Sequence, residues 1–400
     1  MREGWTYKKL GDIAEFSRGL TYSKHDEVDS SENVVLRSNN IDLLAGKLDF
    51  SELKYLKQEF QIPDEKRLKK GSLFICMSNG SKAHLGKVAY IDKDYNYAFG
   101  GFMGQISPIK DVDGKYLHYA LSSPQYKLYI KDLSAGANIN NLKIKDLELF
   151  EIHIAPYEEQ QRIVSRLDSA FSHIDELKAN AEKQLSEARA LFQKSLAKAM
   201  EPKEGWEEKK LIEITHEKCP ISYGIVQQGN HIDGGIPVVR PVDLREKYIT
   251  RQNLKCTTQT ISNSYKRTIL KGDELLLSVR GTTGIISLAT PELKGCNVNR
   301  GIVPLYFKDQ FYKDFLYYEM VSPSLQSVFA EKTTGSTLKQ INIKDLRLIK
   351  LSIPPLSEQQ RIVDRLDALS AHVRELEENQ KKIISECDAL KQALLRKVFE

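Results

Sequence analysis

The stretch APYEEQQRIVSRLD at residues 155–168 occurs a second time in the chain, as PPLSEQQRIVDRLD at residues 354–367. Each copy opens a long polar segment that carries a narrow apolar stripe. Proline breaks a helix that extends through it, so Pro156 and Pro355 mark where a helix begins in each copy. A chain that repeats one helix start after half its length is predicted to consist of two similar halves.

Further landmarks occur in the same order in both halves. The two tryptophans of the chain, Trp5 and Trp206, lie near the start of the first and of the second half. A valine-containing run precedes Arg37, and another precedes Arg240. The residues between such landmarks mostly differ. The two halves are therefore predicted to share a scaffold but not a surface, an organisation suited to binding two different targets.

Short apolar runs separated by Gly, Asn, Ser and Asp predict a mixed α/β domain in each half. In the first half these runs predict strands at residues 34–36, 73–77 and 88–91. Residues 114–131 are predicted to form one or two short helices. Apolar residues alternate over residues 146–154, which predicts a last strand that leads into the first long segment.

The long polar segments, residues 157–199 and 357–399, are predicted to be helices of a coiled coil. Apolar residues recur in steps of three and four along both segments, as in a coiled-coil seam. The stripe comprises Ile163, Leu167, Ala170, Ile174, Leu177, Ala181, Ala188 and Leu191 in the first segment, and Ile362, Leu366, Leu369, Val373, Leu376, Ile383, Cys387, Leu390 and Leu394 in the second. Ser357 and Gln360 resemble a capping box, which predicts the start of the second helix.

We expect the two helices to pair within the chain, because two copies of one stripe are at high local concentration. A homodimeric coiled coil, or packing of each helix onto its own domain, is the alternative. Gln184 and Gln380 are polar positions that are expected to set the pairing register. Antiparallel pairing predicts a rod of roughly 60 Å, at 1.5 Å per residue, with one domain at each end. Such a rod spans more than one turn of B-DNA and suits a spacer between two DNA-binding domains.

The chain is thus predicted to be an α/β protein. Two similar mixed α/β domains are separated by two long α-helices that form an antiparallel coiled coil with pseudo-two-fold symmetry. The predicted boundaries are residues 1–155 for the first domain, 156–200 for the central helix, 201–354 for the second domain and 355–400 for the C-terminal helix.

Composition limits the class of protein. The chain is 41% hydrophobic and 28% charged, which is typical of a soluble globular protein. We find neither an apolar run of the roughly 18 residues that a membrane span needs nor an apolar signal segment after Met1, and we expect a cytoplasmic protein. The five cysteines are widely spaced, which favours reduced thiols over disulfides. The net charge of +5 permits a nucleic-acid partner without implying one.

Motifs for catalysis and for metal binding are missing from the sequence. The Asn-Pro-Pro-Tyr or Asp-Pro-Pro-Tyr motif of amino-methyltransferases does not occur. The run from Gly80 to Lys87 has five residues between its glycines where a P-loop needs four, and Val88 replaces the Ser or Thr that binds magnesium. His216 and Cys219 lack further ligands at zinc spacing. We therefore expect neither a catalytic residue nor a bound metal in this chain.

Polar loops that follow the predicted strands are the candidate DNA-binding segments. Arg and Lys pair with guanine, Asn and Gln pair with adenine, and Lys also binds phosphates. Solvated turns are the alternative for any single residue, but such loops occur at matching places in both halves. The candidates are Arg37, Asn39, Asn40, Asn79, Ser81, Lys82, Asn138, Asn140 and Lys143 in the first half, and Arg240, Arg280, Thr282, Thr283, Asn297, Asn299, Arg300, Thr337 and Lys339 in the second.

The sequence resembles the specificity subunit of a Type I restriction-modification system. The two Pro-x-x-Glu-Gln-Gln-Arg-Ile-Val motifs, which begin at Pro156 and Pro355, carry most of the resemblance. The strand starts at Gly71 and Gly272 add to it, as does the run from Gly335 to Ile343 before the second long helix. The resemblance covers essentially the whole chain.

The resemblance implies that each half is a target recognition domain for one part of a split, asymmetric site in double-stranded DNA. It implies helices that set the spacing between the two parts. It also implies two methyltransferase subunits as partners, with restriction (translocase) subunits in the full complex. S-adenosylmethionine and ATP would then be bound by those partners, and this chain would have no cofactor and no catalytic activity.

Two other classes of protein are open at this point. A coiled-coil adaptor whose α/β domains bind proteins rather than DNA would show the same duplication. A self-sufficient methyltransferase or nuclease is disfavoured by the missing motifs.

Overall fold

A computed structural model of the chain describes residues 4–42, 46–135, 141–217, 219–309, 311–336 and 338–400. The chain divides into two compact units. The first unit consists of residues 1–182 together with residues 381–400, and the second consists of residues 183–380. Each unit therefore contains one α/β domain and a part of each long helix.

The domain of the first unit is built on two four-stranded sheets. One sheet has the strand order β2-β9-β6-β7 and is antiparallel, the other has the order β3-β5-β4-β8, and β1 pairs with β10. The strands are β1 (Thr6–Lys9), β2 (Ala14–Arg18), β3 (Glu27–Val28), β4 (Asn33–Leu36), β5 (Lys54–Leu56), β6 (Leu73–Cys76), β7 (Val88–Tyr90), β8 (Ala98–Phe99), β9 (Met103–Pro108) and β10 (Glu151–Ile154). The strands predicted near residues 34, 73 and 88 are confirmed as β4, β6 and β7.

The helices of the first unit include the short pair predicted around Pro124. They are α1 (Leu10–Ile13), α2 (Gly114–Ala120), α3 (Pro124–Ala135), α4 (Ile144–Glu148) and the long helix α5 (Tyr157–Ala199). Asp113 caps α2, because its side chain accepts the N–H of Tyr116.

The prediction of one strand over residues 146–154 is wrong in its first part. Residues up to Glu148 belong to α4, and only β10 is a strand. Leu147 is fully buried whereas Leu149 is 56% exposed, so the apolar alternation does not correspond to one face of a sheet. The second unit has the same short helix, where the side chain of Asn342 accepts the N–H of Lys344 and caps the helix start.

The domain of the second unit repeats this plan. Its larger sheets have the orders β13-β16-β15-β18 and β14-β12-β17, and β11-β21 and β19-β20 are two-stranded. The strands are β11 (Glu207–Lys210), β12 (Ile236–Val239), β13 (Tyr248–Ile249), β14 (Lys255–Thr257), β15 (Leu275–Ser278), β16 (Ile286–Ala289), β17 (Asn297–Val298), β18 (Ile302–Leu305), β19 (Thr333–Thr334), β20 (Gln340–Ile341) and β21 (Lys350–Ile353). The helices are α6 (Leu211–Ile214), α7 (Gln259–Asn263), α8 (Lys313–Val321), α9 (Pro323–Lys332), α10 (Ile343–Arg347) and the long helix α11 (Leu356–Phe399).

The long helices pair antiparallel within each unit. In the first unit Lys178 donates to Asp388 at 2.8 Å, and Lys391 donates to Asp175 at 2.5 Å. In the second unit Arg189 donates to Glu377 at 2.7 Å. Low residue numbers in α5 thus face high numbers in α11, and the reverse. Pairing within the chain, as expected from the shared stripe, is confirmed in each unit.

Gln184 and Gln380 lie opposite each other in the second unit. The amide of Gln380 donates to the Gln184 carbonyl at 3.1 Å, and Gln380 is buried. A buried amide that finds its partner in only one alignment favours that alignment over a shifted one. The prediction that these two residues set the register agrees with this contact.

The apolar stripe is buried at some positions and exposed at others. Ile163 and Leu167 belong to the core of the first domain, as do Leu395 and Phe399 of α11. Four predicted stripe members are instead exposed by between 37% and 57%, namely Leu177, Leu191, Ile383 and Leu390. The helix ends pack against an α/β domain as well as against each other. The four exposed side chains are not covered by this packing.

The capping box predicted at Ser357 is wrong. Helix α11 begins at Leu356, so Ser357 lies inside the first turn. The carbonyl of Pro355 accepts the N–H groups of Glu358 and Gln359, and the preceding helix α5 begins at the equivalent place, Tyr157. Proline supplies the boundary in both copies.

Glu319 is expected to make the stability of the second unit depend on pH. Its side chain on α8 is buried, one oxygen accepts the N–H of Ser352 at 3.2 Å, and burial raises its pKa to about 7. Because the folded pKa is above the ordinary value, the protonated carboxyl is fully compatible with the fold below about pH 4.5, and stability is lost as the pH rises through 7. We expect Glu319→Gln to be more stable than the parent by about 3 kcal/mol at pH 8, with the gap closing near pH 4.5. Urea unfolding at a series of pH values measures this difference, and a gap that stays constant with pH would contradict the assignment.

Candidate nucleic-acid interface

Backbone hydrogen bonds gather four loops of the first domain at one place. The N–H groups of Met77 and Ser78 both donate to the carbonyl of Phe102, at 2.9 and 3.0 Å. The N–H of Leu142 donates to the carbonyl of Met77 at 2.7 Å. The amide of Asn79 donates to the Ser38 hydroxyl at 2.9 Å. We call the loops at residues 37–39, 78–82, 100–102 and 141–143 the first loop edge.

The first loop edge carries most of the predicted first-half candidates. Asn39, Ser81, Lys82 and Lys143 are exposed there. Lys82 donates to the carbonyl of Ser134 at 2.9 Å, a contact on the surface that a DNA phosphate can replace.

Arg37 and Asn79 are less free than these exposed side chains. Arg37 is half-buried, and its guanidinium lies 3.5 Å from the Glu52 carboxylate. Asn79 is partly buried, and its carbonyl oxygen accepts the N–H of Ser81 at 2.9 Å. Both side chains therefore help to hold the first loop edge in place. Each must break its contact within the protein before it can bind a base.

Asn40 is buried and is removed from the candidate set. Its side chain is 1% exposed. Its carbonyl oxygen accepts the N–H of Arg37, and its amide donates to the carbonyls of Asp49 and Glu52, each at 2.8 Å. These three hydrogen bonds hold the turn that follows Arg37. The Asn40 side chain therefore positions Arg37 and does not face a ligand.

The second domain gathers the equivalent loops in the same way. The N–H of Val279 donates to the carbonyl of Gly301 at 2.8 Å, and the N–H of Gly281 donates to the carbonyl of Lys339 at 2.9 Å. The N–H of Asn299 donates to the carbonyl of Val239 at 2.9 Å. We call the loops at residues 240–243, 280–284, 299–301, 335–336 and 338–339 the second loop edge.

Predicted candidates from three separate stretches of sequence meet at the second loop edge. Thr282 and Lys339 are exposed there, and Arg280, Thr283 and Arg300 are half-buried. The hydroxyls of Thr283 and Thr333 lie 3.0 Å apart, which ties the Arg280 loop to the β19–β20 hairpin. The Asn299 carbonyl oxygen accepts the N–H of Gly301 at 2.9 Å and shapes the turn next to Arg300.

Two further candidates of the second domain are committed to internal contacts. Arg240 is held by Asp243, with hydrogen bonds of 3.0 and 2.8 Å to the two carboxylate oxygens. Asn297 is fully buried, accepts from the Thr268 hydroxyl at 2.7 Å and donates to Ser262. Asn297 is therefore removed from the candidate set, since it joins β17 to α7 and to the turn that follows it.

Three predicted candidates, Asn138, Asn140 and Thr337, lie outside the described residues.

The repeated Glu-Gln-Gln-Arg motif joins each long helix to its domain. Gln160 is fully buried, accepts the N–H of Asp113 at 2.8 Å and donates to the carbonyl of Ala155 at 2.8 Å. Gln359 accepts the N–H of Tyr312 at 3.0 Å and donates to the carbonyl of Pro354 at 2.8 Å. In both units the glutamine fixes the loop before a domain helix to the start of the long helix.

A second joint in each unit consists of an aspartate, a tyrosine and a lysine. In the first unit Asp168 accepts from the Tyr119 hydroxyl at 2.5 Å and from Lys115 at 2.6 Å. Burial, and then the hydrogen bond to Asp168, raise the pKa of Tyr119 well above its ordinary value, so the phenol is a donor at neutral pH.

The second unit makes the same joint with a lysine from elsewhere in the chain. Asp367 accepts from the Tyr318 hydroxyl at 2.5 Å and from Lys247 at 2.6 Å, and Lys247 also lies 3.4 Å from Asp314. Asp314 occupies the place on α8 that Lys115 occupies on α2. Burial, the largest single effect, lowers the pKa of Lys247, but the hydrogen bond to Asp367 and the nearby charges of Tyr318, Asp367 and Tyr248 together outweigh it, and the pKa is raised. The joint thus keeps its pairing of a lysine with an aspartate, although the lysine comes from a different segment of the domain.

Within the parts of the chain that the structure describes, no three His, Cys, Asp or Glu side chains are grouped as a metal site would need. Over the same residues, no helix combines the length and the apolar character that crossing a membrane requires.

Both halves of the chain, each with a loop edge and its joints, match the model of one known protein family. The family model described as the Type I restriction modification DNA specificity domain matches residues 2–187 and residues 203–386. The chain belongs to the Type I restriction-modification DNA specificity family. The two matches agree with the predicted duplication, and the family accounts for it better than an adaptor whose α/β domains bind proteins.

Curated relatives match over almost the full chain. The EcoKI specificity subunit of Escherichia coli K12 is 26% identical over 99% of this chain and 89% of its own length. The StySPI specificity subunit of Salmonella potsdam is 24% identical over the same shares of the two chains. Both are named as specificity subunits of Type I restriction enzymes.

Solved structures support the fold. A chain from a structure of complex assembly and conformational transition of the type I R-M system has a TM-score of 0.78 and 21% identity, and covers 99% of this chain and 98% of its own. The HsdS subunit from Thermoanaerobacter tengcongensis has a TM-score of 0.57 and 20% identity, and covers 100% and 97%. The predicted fold class, with two mixed α/β domains and two long paired helices, is confirmed.

Sequence reasoning missed the joints of aspartate, tyrosine and lysine that hold the specificity domains to the helices, and one aromatic residue at the first loop edge. Gln160 and Gln359 were visible in the repeated motif, and their equal spacing from proline in both halves was the available signal for a structural role. Phe102 is 73% exposed, and nothing in the sequence distinguishes it from the buried Phe99 nearby.

Proposed function

We propose that this chain is the DNA-recognition subunit of a Type I restriction-modification complex, in which each domain recognises one half of a bipartite, asymmetric site. The supporting observation is that homologous backbone frames carry different side chains at the two loop edges. The first presents Asn39, Ser81, Lys82 and Lys143, and the second presents Arg280, Thr282, Arg300 and Lys339. Different donor and acceptor sets recognise different bases in the major groove.

In this proposal the chain does no chemistry of its own. It recruits two methyltransferase subunits, which bind S-adenosylmethionine and methylate adenine, and restriction subunits that use ATP. Any extrusion of the target base from the duplex is carried out by the methyltransferase. The exposed faces of the long helices, with neighbouring domain surfaces, are the proposed docking sites for these partners.

The proposed function is tested by mapping methylated adenines across the genome of cells with and without this chain. We expect methylation at one bipartite sequence to disappear when the chain is absent. Methylation by the chain alone, without partner subunits, would contradict the proposed division of labour.

The proposed spacing role of the helices has its own test. Four residues, about one helical turn, are inserted into α5 after Glu182 and into α11 after Gln380, where the two units meet along the chain. About 6 Å of added helix corresponds to roughly two base pairs, so we expect the number of unspecified bases in the methylated site to change. Inserting into both helices keeps their lengths matched, and a site of unchanged spacing would refute the role.

A further inference from the structure

Phe102 presents an aromatic ring to solvent from a fixed backbone. The side chain is 73% exposed, more than any other large apolar side chain that the structure describes. Its carbonyl accepts two N–H groups, from Met77 and Ser78, so the backbone at this position is held by the end of the buried strand β6. The ring therefore projects from a rigid part of the first loop edge.

The second unit excludes a side chain at the equivalent place. Gly301 accepts the N–H of Val279 at 2.8 Å, as Phe102 accepts that of Met77. A Cβ atom on Gly301 would lie 2.7 Å from Cγ of Pro241, so the site has no room for one. The preceding residue there is Arg300, whereas Gly101 precedes Phe102. One loop edge thus offers an apolar ring where the other offers a cation.

An apolar ring among polar loops needs an apolar partner. The exposed neighbours on the first loop edge, Ser81, Lys82 and Lys143, suit phosphates and base edges. The apolar group that a duplex presents beside those base edges is the C5 methyl group of thymine, in the major groove. Insertion of the ring between base pairs is the other apolar contact available, and it requires the duplex to be unstacked. A single ring on a rigid turn, on a loop edge whose other exposed side chains suit base edges, favours the methyl contact.

We propose that Phe102 is a specificity-determining residue of the first domain, which contacts the C5 methyl group of a thymine in the half-site of that domain. This inference rests on the proposed function. It adds that the first half-site contains a thymine recognised by its methyl group, and that the second half-site has no contact of this kind from the equivalent position.

The test uses the complete chain assembled with its methyltransferase subunits, and duplexes of the site found by methylation mapping. Each thymine of both half-sites is replaced in turn by deoxyuridine, which lacks only the C5 methyl group. We expect the parent complex to lose about fourfold in affinity at one thymine of one half-site, the value of one buried methyl-sized group. Phe102→Ala is expected to bind the unmodified duplex at least fourfold more weakly, and to lose nothing further at that deoxyuridine.

Two variants control for the fold and for general apolar effects. Phe102→Leu keeps an apolar side chain and is expected to retain the preference for thymine over deoxyuridine. Leu128→Ala removes another exposed apolar side chain, 58% exposed on α3 and outside the loop edge, and is expected to change neither affinity nor preference.

The outcomes separate this inference from the function on which it rests. If Phe102→Ala keeps the deoxyuridine loss of the parent, or binds all duplexes as the parent does, the methyl contact is refuted while the recognition role stands. If Phe102→Ala loses the same affinity on every duplex, including duplexes of unrelated sequence, Phe102 acts by insertion or by non-specific binding. The methyl contact is refuted in that case too. Absence of sequence-specific binding by the parent complex refutes both.

Discussion

Replacement of Arg280 by alanine is expected to weaken DNA binding by the assembled complex about 10-fold to 100-fold, through one half-site only. Arg280 lies at the second loop edge, where the Lys339 carbonyl holds the N–H of the next residue, Gly281. A well-placed arginine contributes roughly 1–3 kcal/mol of discrimination when it binds guanine through two hydrogen bonds. Dissociation constants for duplexes with base substitutions in either half-site measure the effect, at one fixed salt concentration.

A matched arginine in the same unit provides the control for Arg280. Arg251 is exposed, follows β13 and takes no part in the backbone contacts of the second loop edge. Arg251→Ala removes the same charge and is expected to change affinity much less and discrimination not at all. If Arg280→Ala relaxed discrimination at both half-sites equally, the assignment of one half-site to each domain would be wrong.

Replacement of Gln160 by alanine is expected to lower the free energy of unfolding of the first unit by about 1–3 kcal/mol. The substitution leaves the N–H of Asp113 without its acceptor and the carbonyl of Ala155 without its donor, both next to the domain core. A buried polar group that loses its partner costs about that amount. The joint between α5 and the domain is expected to loosen as a result.

The two tryptophans allow the two units to be followed separately. Trp5 lies in the first unit and Trp206 in the second. In a Trp206→Phe background, urea unfolding followed by tryptophan fluorescence reports on the first unit. Gln161→Ala is the control, because Gln161 is the adjacent glutamine on the same helix and is exposed. Similar losses from Gln160→Ala and Gln161→Ala would show that the buried amide is not what stabilises the joint.

The long helices and the duplication were predictable because they depend on local and periodic signals. Pro156 and Pro355 prevent the long helices from extending further towards the N-terminus, and the helices begin directly after them. The predicted strands at β4, β6 and β7 are apolar runs bounded by polar residues. Such signals act over a few residues and need no knowledge of the tertiary fold.

The candidate DNA-binding residues were only partly predictable, because an asparagine in a polar loop has the same sequence signature whether it faces solvent or the core. Asn39 is exposed and Asn40 is buried, although they are neighbours. Asn297 is buried, whereas Asn299 is half-buried. Burial depends on which distant segments cover a loop, and the covering segment of Asn297 lies about 30 residues earlier in the chain.

The joint around Asp367 shows what a comparison of the two halves alone would misjudge. Lys115 in the first half corresponds to Asp314 in the second, a reversal of charge that suggests the joint is lost. The structure instead brings Lys247 to Asp367 and to Asp314 from a loop that precedes β13. The Lys247 side chain is only 9% exposed and needs a compensating carboxylate, which Asp367 supplies, and the lysine of such a pair can come from any segment that passes close enough.

The sequence by itself determined two similar α/β domains, two long helices that begin at repeated prolines, and membership of a recognisable family, because repeats and periodicity are properties of the chain order. Only the tertiary structure decided which polar side chains reach the loop edges. It also decided which asparagines make hydrogen bonds inside the domains, and which glutamines and lysines bind the domains to the helices. It also decided that Phe102 is exposed while Phe99 is buried. The reason is that exposure and partnership depend on contacts between segments far apart in the chain.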